Sequence, residues 1–205
     1  MRRWRRSRRS PARSSSRYPD ESFDLVIGHA VLHHIPDLEQ AMREVLRVLK
    51  PGGRFVFAGE PTAKGDFIAR KLSQLTWGAA RRITHLPGLR DKYARTDAEL
   101  DESSRAAALE AVVDIHTFDP KQLRQLCEKV GAIEVSTVTE ELTASWFGWP
   151  VRTVEAAVKP GSLGFKWAYF AYGTWIALSA LDAKVMNKVV PAQYFYNVSV
   201  TGIRA

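Results

Sequence analysis

The sequence predicts an α/β fold, part of a doubly wound sheet, on three observations. The apolar run Phe23-Asp24-Leu25-Val26-Ile27 is followed by helically spaced apolar residues and then by a second apolar run, Arg54 to Gly59. A well-signalled helix start at Asp119 leads into another strand-like stretch, Ala132 to Val138. An alternating stretch, Tyr194 to Ile203, lies at the end. Two strands joined by a helix over so short a span form a βαβ unit, whose strands are parallel and whose crossover is right-handed.

The first helix starts at Asp37, an N-cap with Gln40 as its capping-box partner. Leu38, Ala41, Met42, Val45, Leu46 and Leu49 then recur at helical spacing. Lys50 suits the negative end of the helix dipole, and Pro51-Gly52-Gly53 is expected to stop the helix. A second helix is expected from Asp66 to about Ile83, with Phe67, Ile68, Leu72 and Leu75 on one face. Leu86 to Asp97 reads as loop, and Ser103 to Val113 as helix. In the helix after Asp119, Pro120 takes the first position, Gln122 completes a capping box, and Phe118 and Leu123 sit where a hydrophobic staple needs them. Cys127 falls on that helix's buried stripe, so it reads as core rather than nucleophile.

The net charge of +8 is local. Residues 1–17 hold eight arginines and no acid, and the remainder balances 22 basic residues against 22 acidic ones. The Arg/Ser-rich segment has almost nothing to bury and is expected to be disordered. Three readings of it stand: a binder of nucleic acid or anionic membrane, a transit peptide, or an artefact of a misplaced start. The folded body offers no basic face, so no nucleic-acid partner is expected. A single cysteine cannot form an internal disulfide, which fits a reducing, cytoplasmic compartment. No metal site is expected.

Between the last two strands lies an aromatic helical insert, 142–191. Its centre, Leu163 to Leu181, is almost wholly apolar, and the uncharged run Trp167 to Leu181 is short for a membrane span. A helix packed on the domain, a lid over an apolar pocket, or membrane-surface contact through 163–181 fits this pattern.

The strand followed by Leu32-His33-His34, and then by Leu49-Lys50-Pro51-Gly52-Gly53, resembles the class I S-adenosylmethionine-dependent methyltransferase family of the small-molecule type. The segment HTFDPKQLRQLCEKVGAIEVSTV, from His116 to Val138, is a second point of similarity. The resemblance implies that 18–205 is a partial methyltransferase domain with a Rossmann-like sheet, its strands standing as 4-5-7-6 of that family's order. It implies S-adenosylmethionine as cofactor and a small-molecule methyl acceptor, which the aromatic insert suggests is apolar or lipid-like. Gly28, His29 and Ala30 correspond to backbone beside the cofactor's methionine part. His29, His33, His34 and Glu60 are candidate catalytic groups, because they lie beyond the carboxyl ends of parallel strands. The family's glycine-rich turn and ribose-binding acid have no counterpart before Tyr18, so cofactor binding and activity are expected to be impaired by truncation. The alternative is a non-catalytic remnant or an interaction module that pairs, or self-associates, through the edge of strand 23–27.

Overall fold

The computed structural model describes residues 18–96, 98–100 and 116–205. The Arg/Ser-rich segment 1–17 and the expected helix Ser103–Val113 lie outside them. The chain runs through β1 (Phe23–His29), α1 (Leu38–Val48), β2 (Leu49–Pro61), α2 (Ala63–Thr84) and the single turn α3 (Arg90–Tyr93). It continues with α4 (Pro120–Lys129), β3 (Ala132–Glu140), α5 (Thr143–Ala157), α6 (Gly164–Leu181) and β4 (Asn197–Arg204). The strands form one sheet in the order β1-β2-β4-β3. β1 pairs parallel to β2, while β4 runs antiparallel to both its neighbours. This is the order and sense that the resemblance implies.

Local chemistry explains the elements. The Asp37 carboxylate accepts the Gln40 N–H at 2.9 Å and starts α1. The helix ends at Val48, two residues before Lys50, the last helical residue expected. Leu49 is already extended (φ −72°, ψ 143°), is fully buried, and pairs with Phe23. Residues 50–53 then bulge from the ladder, whose register passes from Phe23–Leu49 to Leu25–Arg54. Pro51-Gly52-Gly53 therefore shapes a strand bulge rather than terminating a helix, with Gly52 at φ +77°. Lys50 is held there by both carboxylate oxygens of Asp24, at 2.8 and 2.9 Å.

On α4, the Asp119 side chain accepts the N–H groups of Lys121 and Gln122 behind Pro120. Leu123 and Cys127 from this helix join Met42 and Leu46 of α1 and Phe55, Phe57, Val198 and Val200 of the sheet in one core. Burial pushes the Cys127 thiol up to about 12, so it packs as an apolar group.

Four expectations are corrected. α2 begins at Ala63, capped by the Thr62 hydroxyl on Gly65 N–H, and it buries Gly65, Ala69, Ala80 and Thr84. The expected inward residues Phe67 and Leu75 are instead exposed, because α2 packs against α5 through its small side chains rather than against the sheet. The stretch expected as loop contains α3, and Tyr194 belongs to a 3₁₀ turn (Ala192–Tyr194) ahead of β4.

The sheet face opposite α1 and α4 carries apolar side chains that are largely exposed. Register places Leu25 and Ile27 there, 47% and 69% exposed, with Ile133 and Val138 from β3.

The insert is tied down by one buried acid. α6 runs on into a π-helical turn, Asp182–Met186. The buried Asp182 carboxylate accepts the N–H groups of Leu142, Thr143 and Ala144 at 2.9–3.0 Å and the Thr143 hydroxyl at 2.6 Å. These are the unpaired donors of the first turn of α5, whose own N-cap position, Leu142, has no side chain to offer them. Asp182→Ala leaves them buried and unmet, and is expected to cost about 2–3 kcal/mol of unfolding free energy, measured as a lower urea midpoint at unchanged slope.

Candidate functional site

The site lies at the carboxyl ends of β1 and β2, and a strand irregularity builds it. Along β2, Phe55 and Phe57 face the core and pair with Gly202 and Val200 of β4. Strict alternation would turn Glu60 to the opposite face. The β2–β4 register shifts between Phe57 and Glu60, so Glu60 instead pairs with the buried Val198 and points to the core side. Gly59, at φ +74°, accommodates that bulge. A Cβ there would stand 2.8 Å from His29 Nε2, but that exposed ring can move aside, so it is the left-handed φ that favours glycine at this position.

Glu60 is wholly buried. One carboxylate oxygen accepts the Val31 and Leu32 N–H groups, both at 2.9 Å. The other accepts the His33 N–H at 3.1 Å and lies 2.7 Å from His33 Nδ1. Glu60 thus caps the 3₁₀ turn Leu32–His34, whose preceding residue Val31 offers no cap of its own. Because both oxygens face N–H donors, Nδ1 is the protonated ring nitrogen of His33. Glu60, a candidate catalytic group by its place after the strand, is turned inward by a bulge that the sequence pattern does not announce.

The candidate residues therefore separate into two groups. His33 is buried against Glu60, and its ring is 3.9 Å, centroid to centroid, from that of the exposed His34. His116 donates its backbone N–H to the His33 carbonyl at 3.2 Å, and its Nε2 is buried without a hydrogen bond among the described residues. On the other side, exposed His29 ends β1 and reaches a cavity of about 470 Å³. Gly28 and Ala30 flank it. A Cβ on Gly28 would collide with the Phe57 ring and Val31, so glycine here is set by packing and leaves no open cradle. Ala30 holds a left-handed φ of +50° while donating its N–H to the Ala58 carbonyl.

The cavity is walled by Trp149 and Phe147 from α5, Tyr172 and Trp175 from α6, and Tyr196 beside β4. The Trp149 ring meets Tyr196 edge-on at 5.3 Å, and Arg152 stacks over Trp149 at 5.7 Å. Glu141, which follows β3 in a left-handed conformation (φ +64°), is half-buried in the same wall. Burial, with Glu140 and Asp182 adding to it against Arg152, holds its carboxyl above the usual glutamate range. Sequence reasoning missed Glu141 and Gly59. A glycine inside a strand pattern is a signal for a bulge, but nothing local marks Glu141. Among the described residues no group of three or more His, Cys, Asp or Glu side chains could hold a metal ion.

Comparisons with known proteins find methyltransferases over part of the chain. Residues 4–57 match the family described as "Methyltransferase domain". The chain is 47% identical over 51 residues to 27-O-demethylrifamycin SV methyltransferase of Amycolatopsis mediterranei, an overlap covering 25% of this chain and 16% of that protein. It is 32% identical over 109 residues to methyltransferase GfsG of Streptomyces halstedii, covering 50% of this chain and 39% of that protein. A possible histamine N-methyltransferase of Thermotoga maritima superposes with a TM-score of 0.44 at 15% identity, over 93% of this chain and 60% of that one. The chain spans well under half the length of these two curated relatives. Over residues 4–57 and these partial overlaps, the chain is similar to methyltransferases.

Proposed function

We propose that the chain carries the acceptor side of a methyltransferase whose acceptor is a bulky, apolar or lipid-like small molecule bearing a nucleophilic oxygen or nitrogen. The observation that carries this reading is the aromatic cavity at the carboxyl ends of β1 and β2, where open α/β sheets bind their ligands. S-adenosylmethionine, the family's cofactor, supplies an electrophilic methyl group. Among the described residues this chain offers it one wall, the backbone of Gly28 to Ala30 and the His29 ring. Gly28 is no cradle for it, since that position is filled by Phe57 and Val31.

In this reading the chain's own residues position the acceptor and handle its proton. Trp149, Tyr172 and Trp175 exclude water from the acceptor's apolar body. Glu141 receives the proton that the attacking group loses, a role its raised pKa favours by bringing it nearer neutrality. Glu60 and His33 act one step back, fixing the turn that leads out of β1.

The sign of the pH dependence follows. Glu141 must be ionised to accept a proton, so the rate is lost as pH falls through its raised pKa, above the ordinary glutamate value of about 4.3. Glu141→Gln is expected to lower the rate about 10²-fold or more and to remove that acid limb from the pH–rate profile. An unchanged profile contradicts the assignment.

A second reading, a non-catalytic module, is favoured by the β1 edge, which has no strand partner beyond β2 among the described residues. Calorimetric titration of the 205-residue chain with S-adenosylmethionine separates the two: heat of binding supports the first, and its absence the second. On the second reading, sedimentation shows concentration-dependent self-association that Ile27→Lys abolishes.

A further inference from the structure

α6 is built inside out. Its solvent side carries Phe165, Tyr169, Tyr172 and Ile176, spaced at i, i+4, i+7 and i+11, which places them on a single stripe of the helix. They are 78%, 71%, 64% and 45% exposed, and no residue of α6 is buried. A surface helix of a soluble fold shows water its polar side, so this face needs a cover.

The charges around it say what kind. From Thr143 to Tyr196 there are two acids, Glu155 and Asp182, against five bases, Arg152, Lys159, Lys166, Lys184 and Lys188. Of the two acids only Glu155 is exposed, so the bases outnumber it at the surface. Asp182 is buried under four donors, and Glu155 accepts the Trp167 Nε1–H at 2.9 Å. Lys166 precedes the apolar stretch, and Lys184 and Lys188 follow it. An apolar, aromatic stripe with lysines at both ends matches a bilayer interface, where tyrosines sit at headgroup level and lysines reach anionic headgroups. No helix among the described residues is long and apolar enough to cross a membrane, so the contact is lateral.

We infer that the outward stripe of α6, Phe165–Tyr169–Tyr172–Ile176 with its flanking lysines, docks on an anionic phospholipid surface. Tyr172 belongs to both faces: it is exposed on the stripe and, with Ala171 and Trp175 of the same helix, lines the edge of the acceptor cavity, so docking brings that cavity against the lipid phase from which an apolar acceptor would enter. The docking itself stands without the proposed methyl transfer; the delivery role rests on that reading.

The test uses the full chain and sedimentation with vesicles of phosphatidylcholine, with and without phosphatidylglycerol. The Arg-rich segment 1–17 is present in every protein compared, so its contribution is held constant. Binding to the anionic vesicles is expected, reduced about tenfold or more both by Phe165→Glu with Tyr169→Glu and by Lys166→Glu with Lys184→Glu and Lys188→Glu. Circular dichroism of each variant, and its S-adenosylmethionine titration, report folding and the proposed activity separately. Equal binding of variants and wild type overturns the proposal and assigns any vesicle affinity to the segment 1–17. Loss of a dimer, seen by ultracentrifugation, in the Phe165/Tyr169 variant with no change in vesicle binding overturns it in favour of a second copy of the chain.

Discussion

The structure depends on one buried carboxylate and the four N–H groups around it. Glu60 sits at the end of β2, yet it terminates the path of β1, because its oxygens satisfy the first donors of the Leu32–His34 turn. A carboxylate in so dry a place is costly unless fully hydrogen-bonded. Here both oxygens are engaged by groups that would otherwise be buried unmet. The bulge at Gly59 makes this possible by turning Glu60 to the core face. Since β1 ends at the cavity, this single arrangement fixes where His29 and Ala30 stand.

Asp182 repeats the device at the other end of the molecule. It reaches back 40 residues to cap α5, as Glu60 reaches 27 to 29 residues back to cap the 3₁₀ turn. In both cases the residue at the natural cap position, Leu142 or Val31, cannot accept a hydrogen bond. Two acids thus hold the two layers that meet at the cavity: the sheet ends below, and the aromatic helices above. The insert owes its position to polar contacts, while the main core, from Met42 through Phe55 to Val200, is apolar.

What was legible in the sequence follows the range of the interactions. Caps within a few residues, at Asp37 and Asp119, were readable because donor and acceptor are neighbours in the chain. The parallel βαβ pair was readable from the strand–helix–strand pattern, while the order of the four strands came from the resemblance to the methyltransferase family. The exposed side of α2 was not legible, because helical periodicity identifies a stripe but not which neighbour it meets: α2 packs against α5, and its Gly65 lies against the backbone of Phe195 and Tyr196. The partition of the candidate histidines was also hidden. His29 and His33 are four residues apart, but one ends at the cavity and the other is locked to an acid displaced by a bulge. Glu141 enters the site only through tertiary packing.

Amide hydrogen exchange tests the central role of Glu60 most directly. If its carboxylate caps the turn, the amides of Val31, Leu32 and His33 are protected in the native protein. In Glu60→Gln they lose protection selectively, while those of β4 keep theirs. Equal exchange of the three amides in both proteins would show that the turn stands without Glu60 and would contradict the account.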